Sequence, residues 1–379
     1  MCMKQSTGGC NMEKRKSNFE LMRITSMVLI VLCHVLDEGN IINKCLNPNL
    51  KIFFNILMMV TRVHVSSFVL LSGYYQSNSK FKFKKVLKML LETYFYLLFF
   101  LFVAIKLKWI EDYNIMTIIN CILPSSTSEY WFVNCYIIMY IFSDYINIFI
   151  NRMTRSEYKK FLIIGFFVFC LLPFLSGLKF LNNTGYTFYY FIYLYMIGAY
   201  LKKFPLKGTY HFKRFSKKQY CYILILIFAL ALFINYLLYF FASSVNGYGN
   251  ILNDFSNRIM VTKLCYSTPF VLIQSIAYFE LFVLLNIKSK IINFISKFVL
   301  GVYLFHENPF IRGKLYKILK IDTGYFVSYK KIVVVIVGTI IIFAIGILVE
   351  IFRQYLFKYL DYFITKTKIL IRRKKQKCN

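Results

Sequence analysis

Little in this sequence points to a soluble fold. It has no low-complexity tract, no internal repeat and no polar stretch that reads as a soluble domain. The ten cysteines include no C-x-x-C pair, and most of them (Cys33, Cys135, Cys170, Cys221, Cys265) sit within apolar runs. A disulfide framework or a metal site is therefore not expected, and small buried apolar residues are. Acidic residues are scarce, 16 Asp and Glu against 47 Lys and Arg. The first apolar run follows Lys14-Arg15-Lys16 as a signal peptide would, yet no small-residue cleavage site ends it, so it reads as retained.

What fills the chain instead is apolar. Apolar residues make up 58% of 379, enough to predict an all-α, polytopic membrane protein. The 41 Phe and 31 Tyr suit lipid-facing surfaces and interfacial belts. About ten transmembrane helices fit the hydropathy, near 19–38, 53–76, 86–107, 129–150, 160–177, 186–202, 219–241, 262–286, 291–312 and 330–353. The fifth and sixth can also be drawn as one broken helix.

A net charge of +31 raises nucleic acid as a partner, but the distribution of the charge excludes that reading. With the N-terminus inside, roughly two-thirds of the Lys and Arg fall in the cytoplasmic segments, the positive-inside bias that predicts N-in, C-in topology. The organisation expected is a basic cytoplasmic N-terminus (1–18), a ten-helix membrane domain (19–353) and a basic cytoplasmic tail (354–379). The tail, with Lys374, Lys375 and Lys377, suits anchoring to anionic lipid. Met12 is an alternative start, since 1–11 adds nothing recognisable. Residue usage rich in Lys, Ile, Asn, Phe and Tyr fits an AT-rich, bacterial source.

The rest of the chain is organised around Asn18 to Glu38. This run can span a bilayer, yet it holds Arg23 near one end and His34 near the other. A charge in hydrocarbon costs several kcal/mol, so such residues are functional candidates by default. Eleven residues at about 100° and 1.5 Å each place the two within about 20° of one face and about 16 Å apart. The plainer alternative is that Arg23 snorkels to the headgroups and His34 bonds a neighbouring helix.

Other stretches add polar groups. Arg62 and His64 lie in T-R-V-H-V-S-S-F-V-L-L-S-G-Y, two apart and so facing different ways on a helix. Lys80 to Lys88 is a basic run with interleaved Phe81 and Phe83, which reads either as an ordinary cytoplasmic loop or as a phosphate clamp with a ring to stack on adenine. Glu92 is a candidate counter-ion for Arg62 or Arg23. Asp144, Glu280 and Glu350 are expected to pair with loop lysines, and His211 to be solvated. Pro309 is expected to break the helix that carries His306.

Taken together these stretches resemble the acyltransferase family 3 integral membrane proteins. The resemblance rests on N-x-E-L-x-R-I at Asn18–Ile24, Arg-x10-His at Arg23 and His34, and F-x-x-x-S-G-Y at Phe68–Tyr74. It continues in W-F-x-x-x-Y at Trp131–Tyr136, L-Y-M-I-G-A-Y-L-K-K at Leu194–Lys203 and V-Y-L-x-H-x-N-P at Val302–Pro309. Two departures stand out. Lys85 and Lys88 replace the usual pair of arginines, giving point charges without a bidentate fork. Tyr136 stands where some branches carry a glutamate.

The resemblance implies O-acetyl transfer from cytoplasmic acetyl-CoA to a sugar hydroxyl of a surface polysaccharide or lipid-linked glycan, in the plasma membrane. Lys84, Lys85 and Lys88 would hold the donor phosphates, and Arg23 its pantetheine arm or thioester. A sugar hydroxyl needs a base near neutral pH, and His34 is the expected one, oriented by Asp37 or Glu38 at i+3 and i+4. His306 is the second choice. Arg23, Arg62 or a hydroxyl would serve the oxyanion, and an acyl-histidine relay is an open variant. A transporter or flippase for a lipid-linked sugar, or a structural subunit of an envelope complex, are the competing classes.

Overall fold

The computed structural model describes residues 16–110, 130–176, 185–208, 210–245 and 265–377. All regular elements among these are helical, and the one isolated β-bridge joins Cys45 to Phe326. Six helices are long and apolar enough to cross a membrane: Ser17–Glu38, Pro48–Gln76, Phe83–Lys106, Arg155–Leu175, Lys217–Ala242 and Lys330–Phe363. A seventh span results if the pair bent by 55° at Phe142 counts as one. The remaining expected spans fall on shorter pieces, two of them because hydropathy sums over kinks and breaks that interrupt the backbone.

The central helix is α1 (Ser17–Glu38), and its sequence explains its anchoring. Lys16 gives it no side-chain cap. The Asn18 amide instead donates to the Phe282 carbonyl at 2.9 Å, satisfying a terminal acceptor of another helix, and the Ser17 hydroxyl accepts from the Ser289 backbone N–H at 3.0 Å. After it come α2 (Pro48–Thr61) and α3 (Val63–Gln76). Asn47 caps α2 by accepting from Leu50 N–H at 3.2 Å, with Pro48 in the first turn, where its missing N–H costs nothing. The two helices part at Arg62.

Helix α4 (Phe83–Lys106) starts from a loop held by α5 (Trp131–Ile141) and α6 (Ser143–Arg152). The Asp144 carboxylate accepts from Phe81 N–H at 2.6 Å, Tyr140 OH accepts from Lys82 N–H at 3.0 Å, and the Asn147 amide donates to Gln76 and Ser79 carbonyls. Helix α7 (Arg155–Phe166) opens with a capping box between Thr154 and Glu157 and runs through a π-turn, Phe167–Leu171, into Leu172–Ser176. Then come α8 (Phe188–Lys203), α9 (Lys217–Val245) and α10 (Pro269–Leu284), the last capped by Thr268.

The expected ninth span is not one helix. It divides into α11 (Lys290–Ile295), a 3-10 turn at Ser296–Phe298 and α12 (Val299–His306), which stops short of Pro309 as expected. The short α13 (Arg312–Ile318) precedes α14 (Lys330–Lys377), which passes through residue 353 unbroken. Gly39 at the end of α1 and Gly338 in the first part of α14 both face Ile321, so the two helices run antiparallel.

Packing separates centre from periphery. Helices α1, α2–α3 and α8 are mostly buried, while α7, α9 and α14 present long exposed apolar faces, the pattern of a bundle whose outer helices meet lipid. The tightest seam joins α3 to α8. A Cβ at Gly73 would strike the Tyr195 carbonyl, and one at Gly198 would strike the Leu70 carbonyl, so each backbone rests directly on the other. Overpacking such a contact costs about 1–3 kcal/mol or more. Gly198→Val is therefore expected to lower the thermal midpoint of the purified protein markedly, and an unchanged midpoint would mean that the seam does not hold the two helices.

Candidate active site

The two ends of α1 do different things. At the start, Arg23 pairs with Glu20 at 3.2 Å, one turn away, and its side chain is 38% exposed. Arg23 and His34 share a side of the helix, but Met27 and Ile30 fill the stretch between them and are buried. The spacing read from the sequence is therefore present, with the two residues at opposite ends of the helix rather than in contact.

His34 meets α12 instead. Its Nδ1 lies 3.0 Å from His306 Nε2 and 3.0 Å from Glu307 Oε1. His306 Nδ1 is 2.6 Å from the Val302 carbonyl oxygen, one turn back on its own helix. A carbonyl can only accept, so the proton of a neutral His306 sits on Nδ1 and its lone pair on Nε2. His34 Nδ1–H must then donate to that lone pair, and this leaves His34 Nε2 with a lone pair of its own. The ring is fixed in the tautomer that a base requires.

The residues after His306 make this arrangement rigid. The Asn308 amide donates to the Tyr96 carbonyl at 3.1 Å and to Tyr130 OH at 3.0 Å, while Tyr130 OH donates to the Leu304 carbonyl at 2.6 Å. Arg312 reaches both Glu307 and Glu38 at 3.4 Å. The carboxylate in contact with His34 Nδ1 is thus Glu307, while Asp37 acts on the ring through space. Asp37 and Glu38 lie at the exposed end of α1, where Glu38 serves Arg312, while Nδ1 of His34 faces α12. That Glu307 adjoins His306 was the only sign of this in the sequence.

Arg62 and His64 lie against the same region. Arg62 is 3% exposed at the break between α2 and α3, and it donates to Tyr266 OH at 3.2 Å and to Met58 Sδ at 3.4 Å. Cys33, the residue before His34, touches the same Met58 sulfur at 3.7 Å. Arg62 makes no ion pair among the described residues, and its Nε has no partner. His64 is 1% exposed, with both ring nitrogens unpaired and its ring edge-on to Tyr266 at 5.3 Å. Trp131, Tyr186 and Tyr266 close around them, with centroids 4.4–5.8 Å apart.

The basic run at the start of α4 divides. Lys85 is exposed and turns toward α5, its Nζ 5.4 Å from the Tyr140 ring and within electrostatic reach of Arg23 and Lys82. Lys84 and Lys88, one turn apart, face an outer groove with Lys297. Beside Lys85, Tyr136 OH accepts from Ser72 Oγ at 3.1 Å and from the Gln76 amide at 3.0 Å.

Other carboxylates differ from expectation. Glu92 pairs with Arg353 at 3.3 Å rather than with Arg62 or Arg23. Asp144, Glu280 and Glu350 do not take loop lysines. Asp144 takes Phe81 N–H, Glu280 accepts from Tyr220 OH at 3.1 Å, and Glu350 takes Arg353, Gln354 and Tyr96 OH. Helix-borne partners one turn away, or on the packed neighbour, are already in place, whereas a loop lysine must be ordered first. The His211 side chain lies outside the described residues.

His34, His306 and Glu307 also bring one ligand atom each within 4.8 Å of one another, close enough for a divalent cation to bridge. Two features oppose that use: Arg312 already compensates the Glu307 carboxylate, and Arg62 adds a buried positive charge nearby. The arrangement is better suited to moving a proton.

Comparison with known proteins gives one family. The acyltransferase family 3 model, described as an acyltransferase domain, matches residues 16–351. No curated protein and no solved structure matches the chain.

Proposed function

We propose a specific reaction for this chain, which belongs to acyltransferase family 3 and is a multi-pass membrane acyltransferase: O-acetyl transfer from acetyl-CoA to a sugar hydroxyl of a surface polysaccharide or lipid-linked glycan. The observation that carries it is the chain of hydrogen bonds from the Val302 carbonyl through His306 to His34, which leaves a basic nitrogen on His34. In this reading His34 Nε2 takes the hydroxyl proton as the sugar oxygen attacks the thioester carbonyl. The C–S bond then breaks, and the proton on Nε2 passes to the departing sulfur of coenzyme A. Glu307, beside Nδ1, steadies the imidazolium between those steps.

Charge supports one end of α1 as the donor end. Lys82, Lys85 and Arg23 gather at the end of α1 opposite His34, where the phosphates of coenzyme A would sit while the pantetheine arm follows α1 toward the base. In this reading that end is cytoplasmic, giving the N-in, C-in topology of a bacterial plasma-membrane protein, and the acceptor arrives from the other face. Mass spectrometry of surface glycans from cells with and without the protein tests this. An acetyl increment present only with it is expected, and in the purified system Lys85→Ala should raise the donor KM more than the acceptor KM. Glycans of identical mass would remove the acetyl and glycan assignments. A transporter is not favoured, because carrying a lipid-linked sugar across needs no imidazole held in a single tautomer.

A further inference from the structure

The outer side of α4 carries a feature that acyl transfer does not use. Lys84, Leu87, Lys88 and Leu91 stand at positions i, i+3, i+4 and i+7, so they share one face, and with Lys297 and Phe357 they line a groove of about 720 Å³. None of the three lysines makes an ion pair among the described residues. The floor of the groove does: Arg353 binds Glu350 at 2.5 Å and Glu92 at 3.3 Å, and Glu350 also accepts from Tyr96 OH at 2.9 Å. The floor thus sets two carboxylates against one guanidinium, with Lys88 within electrostatic reach of Glu92, and the surplus of positive charge, carried by Lys84 and Lys297, lies at the mouth.

Above the lysines the same face becomes apolar. Leu87, Leu91, Leu98 and Phe102 are 45–58% exposed and spaced four, seven and four apart, a stripe along the length of the helix. From Leu87 to Phe102 is about 22 Å, most of the thickness of a bilayer's hydrocarbon core. The pattern is cations at one end and a bare apolar stripe leading from them into the membrane.

We infer that this groove holds an anionic phospholipid, with its headgroup phosphate among Lys84, Lys88 and Lys297 and an acyl chain along Leu91, Leu98 and Phe102. Charge complementarity sets the headgroup sign, since a zwitterionic lipid brings an ammonium that three lysines repel. The apolar stripe favours a lipid over a soluble phosphate, which would leave it bare.

Native mass spectrometry of the full chain in detergent tests the inference without acyl transfer, so its outcome is separate from that of the proposed reaction. Titration with phosphatidylglycerol should give a retained lipid adduct, and phosphatidylethanolamine should not. Lys297→Glu should cut phosphatidylglycerol retention at least tenfold by reversing one charge at the mouth, and Leu91→Asp should do the same by placing a carboxylate under the acyl chain. Both positions are exposed at the groove, so folding is spared. Equal retention of the two lipids, or variants that hold phosphatidylglycerol as the wild type does, would overturn the inference. So would displacement of the lipid by acetyl-CoA, which would make the groove the donor site.

Discussion

His34→Ala is expected to lower acyl transfer by about a hundred- to ten-thousand-fold, the usual contribution of a positioned base, while expression and membrane insertion are unchanged. The ring is 19% exposed and its contacts lie at one nitrogen, so its loss removes little packing. His306 acts through His34 and is a positioning residue. His306→Leu removes one of the two acceptors at His34 Nδ1 and leaves only Glu307 Oε1 to hold the ring. His306→Gln supplies a carbonyl oxygen in place of Nε2 and should recover part of the loss. Steady-state kinetics on the three purified variants reads this order. Equal activity of the leucine and glutamine variants would mean that His306 only fills space, and activity retained by His34→Ala would remove the base assignment altogether.

The order of these effects was only half visible in the sequence. His34 and His306 were legible because a histidine in an apolar run stands out, and α1 because an uninterrupted apolar run of its length has few other uses. That the two histidines touch was not legible: 272 residues separate them, and only the packing of α12 beside α1 joins them. The same gap hid the carboxylate that touches His34. Sequence reasoning can count to i+3 and i+4 along one helix, and so it favoured Asp37 and Glu38 over Glu307, which comes from another helix.

Breaks explain two of the four expected spans that are not long helices among the described residues, and the other two fall on unbroken helices of 16 residues, Phe188–Lys203 and Pro269–Leu284. The chain stays apolar through Phe142 and through Ser296–Phe298, so hydropathy runs straight across a 55° bend and a 3-10 turn. The lysines of α4 are a different matter. Lys84 and Lys88 are one turn apart and Lys85 is about 100° round from Lys84, so the split between the outer groove and Tyr140 follows from helical periodicity that was present in the sequence.

Arg62 yields the other large effect, with an opposite sign in stability. A buried guanidinium whose partners are a phenol and a thioether is expensive, because neither repays the charge it has lost from water. Asp37 acts on it only through space, from the exposed end of α1. Arg23, the other candidate, is engaged by Glu20 at the far end of the helix. Arg62 is packed on the Met58 that Cys33 also touches and acts on His34 through space, so in the proposed reaction an oxyanion formed beside His34 would supply the counter-charge it lacks. Arg62→Met, similar in length and apolar, is therefore expected to lower kcat by about a hundred- to a thousand-fold while leaving the thermal midpoint unchanged or raising it. Arg62→Lys keeps the charge without the fork and should fall between the two in kcat. Thermal denaturation and kinetics on the same preparations separate the roles. If Arg62→Met unfolds the protein at lower temperature and kcat per folded molecule is intact, the guanidinium is a structural strut and the oxyanion must be served by another donor.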